Sequence, residues 1–88
     1  MTQRAGWTLI TGAASGIGRG LAQRLARHGA AVALADRDLA AASAAAGEII
    51  AGGGDALALD MDVTDDRSVV QAVASLEGPI AMLINNAG

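Results

Sequence analysis

The sequence predicts an α/β fold in which strands and helices alternate, βαβαβαβ, around a parallel sheet. Three observations carry that prediction. Four short apolar runs of strand length recur along the 88 residues, with amphipathic stretches between them. The runs are nearly continuous in their apolarity, as strands buried on both faces of a parallel sheet are. A glycine-rich turn, Thr11-Gly12-Ala13-Ala14-Ser15-Gly16-Ile17-Gly18, joins the first run to the first helical pattern. Alternation with short links implies right-handed crossovers between parallel strands.

The first strand is expected at Trp7-Thr8-Leu9-Ile10. In the helix that follows the glycine turn, Ile17, Leu21 and Leu25 recur every four residues, and Gly29 stops it. Ala31-Val32-Ala33-Leu34-Ala35 forms the second strand. The second helix starts with Asp38 as N-cap and places Leu39, Ala42, Ala46 and Ile49 or Ile50 on one face. Its alanine content gives it strong intrinsic helix propensity. Gly52-Gly53-Gly54 turns the chain into the third strand, Ala56-Leu57-Ala58-Leu59-Asp60-Met61. The third helix is expected to begin at Thr64 as N-cap, with Asp65 and Asp66 in the first turn, where the helix dipole favours anions. Val69, Val70, Val73 and Leu76 form its buried face. Gly78-Pro79 then leads into the fourth strand, Ile80-Ala81-Met82-Leu83-Ile84.

Composition bounds the function classes. The length allows one small domain, residues 1–88, and a chain of this size buries only about 60–68% of the surface it exposes unfolded. Alanine supplies much of the 52% apolar content, and Trp7 is the only aromatic residue, so the core must be thin. The net charge is −3, and all six cations are arginines: Arg4, Arg19, Arg24, Arg27, Arg37 and Arg67. They form no basic block, which argues against a nucleic-acid partner. The lack of cysteine removes disulfides and thiolate metal sites. His28 has no partner ligand, and Asp60 reads as a solvent-facing residue at a strand end, so no metal site is assigned. No apolar run approaches the ~18 residues of a membrane span, so no membrane partner is expected, and a cytoplasmic setting is the default.

The glycine turn is the one stretch that names a ligand. Glycines between a strand and a helix let the backbone approach a pyrophosphate, and the helix behind directs its unpaired N–H groups and positive dipole end at the charge. Asp36 follows Gly18 by 18 residues, at the end of the second strand. A carboxylate there accepts hydrogen bonds from an adenine-ribose 2′-hydroxyl and repels a 2′-phosphate, which favours NAD over NADP.

The spacing T-G-x-x-x-G-x-G, together with Asp36, Asp62-Val63 after the third strand and Asn85-Asn86-Ala87-Gly88 after the fourth, resembles the short-chain dehydrogenase/reductase family from about Trp7 to Gly88. The resemblance implies a Rossmann-type parallel sheet, partial, in strand order 3-2-1-4. It implies that the domain over residues 1–88 is a dinucleotide-binding one, incomplete at its C-terminal end. By position, Gly12 permits a tight exit from the first strand, Gly16 a close approach to the pyrophosphate, and Gly18 close packing of the helix on the sheet. Ser15 and Ile17 lie at the helix mouth, where their N–H groups meet phosphate, and the family's residue at Ile17 lies toward the nicotinamide. Ser15 as a simple N-cap is the competing reading. Asp62 and Val63 match the pair that contacts adenine, and Asn85 to Gly88 match the motif that braces the sheet beside the ribose. Arg37 stands where relatives using NADP carry a basic residue, but Asp36 precedes it and position 15 is not basic, so NAD stays the choice.

The family's acid–base chemistry uses a Ser, an Asn and a Tyr-x-x-x-Lys pair, all beyond the Asn-Asn-Ala-Gly motif. This sequence has no Tyr and no Lys. No catalytic residue is therefore assigned. The chain is expected to be the NAD(P)-binding half of an oxidoreductase that moves a hydride between nicotinamide and an alcohol or ketone carbon. Alone it is expected to be inactive; the full-length parent is expected to be a homo-oligomer. A stand-alone dinucleotide-binding module without catalysis is the alternative. The outer edge of the fourth strand is expected to be unpaired, which favours a marginal or self-associating chain.

Overall fold

The structure, a computed structural model, describes residues 6–87. Strands β1 (Trp7–Thr11), β2 (Ala31–Asp36), β3 (Asp55–Asp60) and β4 (Ile80–Ile84) alternate with helices α1 (Gly16–Arg27), α2 (Leu39–Ala51) and α3 (Asp66–Ser75). The strands form one parallel sheet in the order β3-β2-β1-β4, as the resemblance implies. The chain walks from β1 outward to β3, then returns to place β4 on the other side of β1. That reversal opens a crevice at the C-terminal ends of β1 and β4, where ligands of open α/β sheets bind.

Packing follows from side-chain size. Strand β2 sends Val32 and Leu34 to one face and Ala31, Ala33 and Ala35 to the other. The large side chains meet the small ones of α1 and α2: Ala22 and Ala26, and Ala42, Ala45 and Ala46. The alanine face meets bulk instead, in Trp7, Leu9, Leu59, Met61 and Leu76. Large against small on each face fills the thin space between layers, so a chain poor in aromatics still closes a core. Strand β1 is buried along its whole length, and β2 is buried from Ala31 to Ala35.

The helix faces match the expected ones in part, with Ala42, Ala46 and Ile49 of α2 and Leu76 buried as expected, and differ elsewhere towards small residues. In α1 the buried residues are Gly18, Ala22 and Ala26, while Ile17 is 82% exposed. In α2 they are Ala42, Ala45, Ala46 and Ile49, with Leu39 and Ile50 exposed. In α3, Ala72 is buried and Val70 is 66% exposed. Small residues take most of the inner stripes, with Ile49 the branched exception at the end of α2. The cap of α3 also moves by one residue. Asp65 is the N-cap, accepting from Arg67 N, whereas Thr64 donates to Asp62. Asp38 caps α2 by accepting from Ala41 N, as expected. Gly29, with φ +94°, ends α1.

Strand β4 departs from the expectation of two buried faces. Ile80, Met82 and Leu83 are exposed, Leu83 at 61%. It pairs with β1 on one edge only, and α3 packs on β3.

Candidate functional site

The turn after β1 requires its glycines for different reasons. Gly12 (φ +63°) and Gly16 (φ +59°) lie in the left-handed region that side chains disfavour. A Cβ on Gly12 would stand 3.1 Å from the Ala87 backbone. Around Gly16 nothing lies within 4 Å of such a Cβ, so the space above the turn is open. Gly18 is the tightest: its Cβ would meet Gly12 O at 2.3 Å and Asn86 Nδ2 at 2.6 Å. Its small size serves the contact between α1, the turn and the segment after β4, more than contact with the sheet.

The first helical N–H groups, on Gly16, Ile17 and Gly18, have no acceptor within the helix and face this opening. Ser15 occupies the N-cap position with extended backbone, yet its hydroxyl makes no capping bond. That leaves the exposed hydroxyl beside the cradle, against the reading of Ser15 as an ordinary cap. Ile17 projects from the same rim.

Two groups of hydrogen bonds hold the turn. On one side it is tied to β2: Ala13 N–H donates to Ala35 O at 3.2 Å, and Ala14 N–H to Asp36 Oδ2 at 3.1 Å. The other oxygen, Asp36 Oδ1, accepts from Asp38 N–H at 3.0 Å, and Met61 N–H reaches Asp36 O at 3.1 Å. On the other side Thr11 acts as a hub. Its hydroxyl donates to Asn85 Oδ1 (3.1 Å) and accepts from Asn86 N–H (3.0 Å) and Ala87 N–H (3.1 Å). One donor and two acceptor positions are thereby all used. Asn86 Nδ2 donates to Gly12 O at 3.1 Å, which closes the ring between the segment after β4 and the turn.

Asp62 and Val63 follow β3 on the far side of Asp36. Asp62 Oδ1 accepts from Thr64 N–H (2.9 Å) and from the Thr64 hydroxyl (2.6 Å). Those bonds, with a smaller contribution from the Arg37 charge, hold its carboxyl below the ordinary carboxylate range against a partial desolvation. Its own N–H donates to Ser68 Oγ at 2.8 Å. Arg37 and Val63 are exposed.

The expected site residues Gly12, Ser15, Gly16, Ile17, Gly18, Asp36, Arg37, Asp62, Val63, Asn85, Asn86 and Ala87 thus ring the C-terminal end of the sheet. Gly88 lies outside the described residues. Thr11, Ala14 and Ser68 were not singled out from the sequence. A threonine closing a strand immediately before the first glycine was the available signal for Thr11; the other two act through backbone geometry that no motif displays. An apolar groove lined by Leu9, Met61, Val69, Val73, Ile80 and Leu83 runs from the β4 flank to Thr11 and Asn85. A larger cleft, between α1 and the end of α2, borders Gln23, Arg27 and Glu48, away from the turn. There Glu48 binds Arg19 and Gln23.

A sheet that reverses at β1, a glycine turn opening a helix and an acid at the end of β2 define a dinucleotide-fold protein. The chain belongs to the short chain dehydrogenase family, whose model matches residues 6–88. A sorbitol dehydrogenase of Cereibacter sphaeroides is 50% identical over 82 residues, a match that spans 90% of this chain and 31% of that protein. An oxidoreductase from Haemophilus influenza with bound NAD superposes with a TM-score of 0.92 at 33% identity, over 97% of this chain and 31% of that one. A metagenomic short-chain oxidoreductase in complex with NADP superposes at 0.89 with 32% identity, over 97% and 40%. The chain therefore spans less than half the length of each of these proteins.

Proposed function

We propose that these residues form the NAD-binding part of an oxidoreductase that moves a hydride between the nicotinamide and an alcohol or ketone carbon. The observation that carries this reading is the open glycine turn, clamped between Asp36 and the segment after β4, with the N-terminus of α1 aimed into it. When bound, a nicotinamide dinucleotide supplies the hydride donor or acceptor. The chain's own residues bind and orient it. Gly16, Ile17 and Gly18 N–H groups and the Ser15 hydroxyl receive the pyrophosphate, and the Asp36 carboxylate receives the ribose hydroxyls. Val63 and Asp62 border the adenine, and the exposed Ile17 meets the nicotinamide end. The residues that would move a proton at the substrate have no candidates here, since the sequence holds neither Tyr nor Lys. The 88 residues alone bind the cofactor and do not turn over.

Preference for NAD over NADP rests on the place of Asp36. Each of its oxygens has spare acceptor capacity and carries charge that a 2′-phosphate would oppose. Arg37, the nearest basic residue in sequence, lends its charge to Asp62. Calorimetric titration of the chain with NAD and with NADP tests both points. NAD is expected to bind more tightly, and Asp36→Ala is expected to weaken NAD while narrowing the gap to NADP. Tighter binding of NADP by the unaltered chain would overturn the preference, and failure of a folded chain to bind either would overturn the function.

A further inference from the structure

We infer that Asp36 is also a positioning residue for the pyrophosphate cradle, so that one side chain sets both ribose recognition and the shape of the phosphate site. The inference rests on the dinucleotide reading and extends it from the ribose to the opposite end of the same half of the ligand. Its basis is the bond from Ala14 N–H to Asp36 Oδ2, 3.1 Å long and spanning 22 positions in sequence.

Ala14 is almost wholly buried, at 4% exposure, so water does not readily replace an acceptor lost from its N–H. The neighbouring link, Ala13 N–H to Ala35 O, is longer and comes from the backbone of the same strand end. Together the two bonds fix consecutive peptides of the turn against β2. The next residues, Ser15 to Gly18, present the N–H groups that receive phosphate. The Asp36 carboxylate is itself held, because Oδ1 accepts from Asp38 N–H at 3.0 Å, and Asp38 caps α2. The acid therefore does not hang into solvent awaiting a ribose. It is a strut between the start of α2 and the glycine turn, and the ribose hydroxyls use its remaining lone pairs. A side chain at Gly16 (φ +59°) would meet nothing within 4 Å, and the strut at Ala14 joins the Ala13–Ala35 and Asn86–Gly12 bonds in holding the turn.

The sign of one measurement separates this from a role in ribose recognition alone. 2′,3′-Dideoxy-ADP keeps the diphosphate and lacks both ribose hydroxyls. If Asp36 only reads hydroxyls, Asp36→Ala binds this probe as well as the unaltered chain or better, since a negative charge near an anion has been removed. If Asp36 holds the turn, Asp36→Ala binds it more weakly, by roughly three- to tenfold for the loss of one ordering hydrogen bond. Asp36→Asn keeps one carbonyl oxygen, to be divided between Ala14 N–H and Asp38 N–H, and is expected to recover part of the probe affinity that Asp36→Ala loses. Amide hydrogen exchange at Ala14, measured without ligand, is expected to accelerate in Asp36→Ala and to return toward the original rate in Asp36→Asn, with thermal melts showing each variant folded. Equal or tighter probe binding by Asp36→Ala, or unchanged Ala14 exchange in that variant, would each overturn the strut. A chain that binds neither ADP nor NAD would overturn the dinucleotide reading itself, and the exchange measurement would then still decide whether the strut exists.

Discussion

The C-terminal end of β1 and its β4 flank are built on opposite principles. Around the glycine turn, order comes from directional polar bonds that reach both to β2 and to the segment after β4. Thr11 uses every hydrogen-bonding position of its hydroxyl, Asp36 uses both oxygens, and Gly18 leaves no room for a methyl group. On the β4 and α3 side the surface is apolar and loosely covered. Met82, Leu83, Val70 and Ile80 are exposed, and β4 meets a neighbour on one edge. The contrast shows where this fold spends its structural constraint. Directional bonds fix the C-terminal end of β1, where the proposed dinucleotide would meet N–H groups at set distances. The flank relies on non-directional burial, which tolerates incomplete covering at a cost in stability but not in shape.

Substitutions that strike the polar side should therefore have large effects, and those on the flank small ones. The largest expected effect is Gly18→Val. Its Cβ would sit 2.3 Å from Gly12 O, between backbone atoms that cannot yield cheaply, and the added branches worsen the clash. Destabilisation of about 2–4 kcal/mol in urea unfolding, with loss of NAD binding, is expected. A variant as stable as the parent would show that α1 is not pressed against the turn. Next comes Thr11→Val, which keeps the strand and removes the hub. It leaves the Asn86 and Ala87 N–H groups without their acceptor and should cost about 1–3 kcal/mol. Thr11→Ser should retain most of the stability, and equal losses in the two variants would shift the credit from the hydroxyl to the methyl.

A smaller effect is expected at Asp62, where the contribution depends on pH. Its carboxyl is held below the ordinary range by the Thr64 bonds, so the ionised form is favoured in the folded chain. That contribution is fully present above the ordinary carboxylate range and disappears as pH falls through the lowered folded value. Asp62→Asn should accordingly lose a little stability at neutral pH and match the parent in strong acid. A constant difference across acid titration would show that charge is not involved. The smallest effect belongs to the flank. Met82→Lys should change unfolding free energy by less than about 0.5 kcal/mol, because the side chain is already exposed. It should still lower any self-association in sedimentation, since a charged edge resists pairing with another chain. A large loss of stability would mean that β4 is more deeply packed than its exposure shows.

Periodicity and spacing alone fixed the element order, because strands and helices of this length leave strong local patterns. They also marked Gly12, Gly16, Gly18 and Asp36, since a close backbone approach and a charge at a strand end demand particular residue types, whereas the Asn85-Asn86 segment was marked only by the family resemblance. Capping of α2 by Asp38 was legible for the same local reason. The inward face of α2 at Ala42, Ala46 and Ile49 was legible, but the inward face of α1 and the exposure of Val70 in α3 were not. Ile17, Leu39 and Val70 have the right spacing for burial, yet alanine and glycine take most of the inner stripes, because the distance between layers is decided only when the sheet and helices pack together. Nor could the sequence show that the Thr11 hydroxyl gathers three partners from 74 to 76 positions away, or that Asp36 reaches back 22 positions to Ala14. Those bonds join ends of strands that are neighbours in the sheet and distant in the chain. Local chemistry chose the residues of the site; the strand order β3-β2-β1-β4 decided which of them hold one another in place.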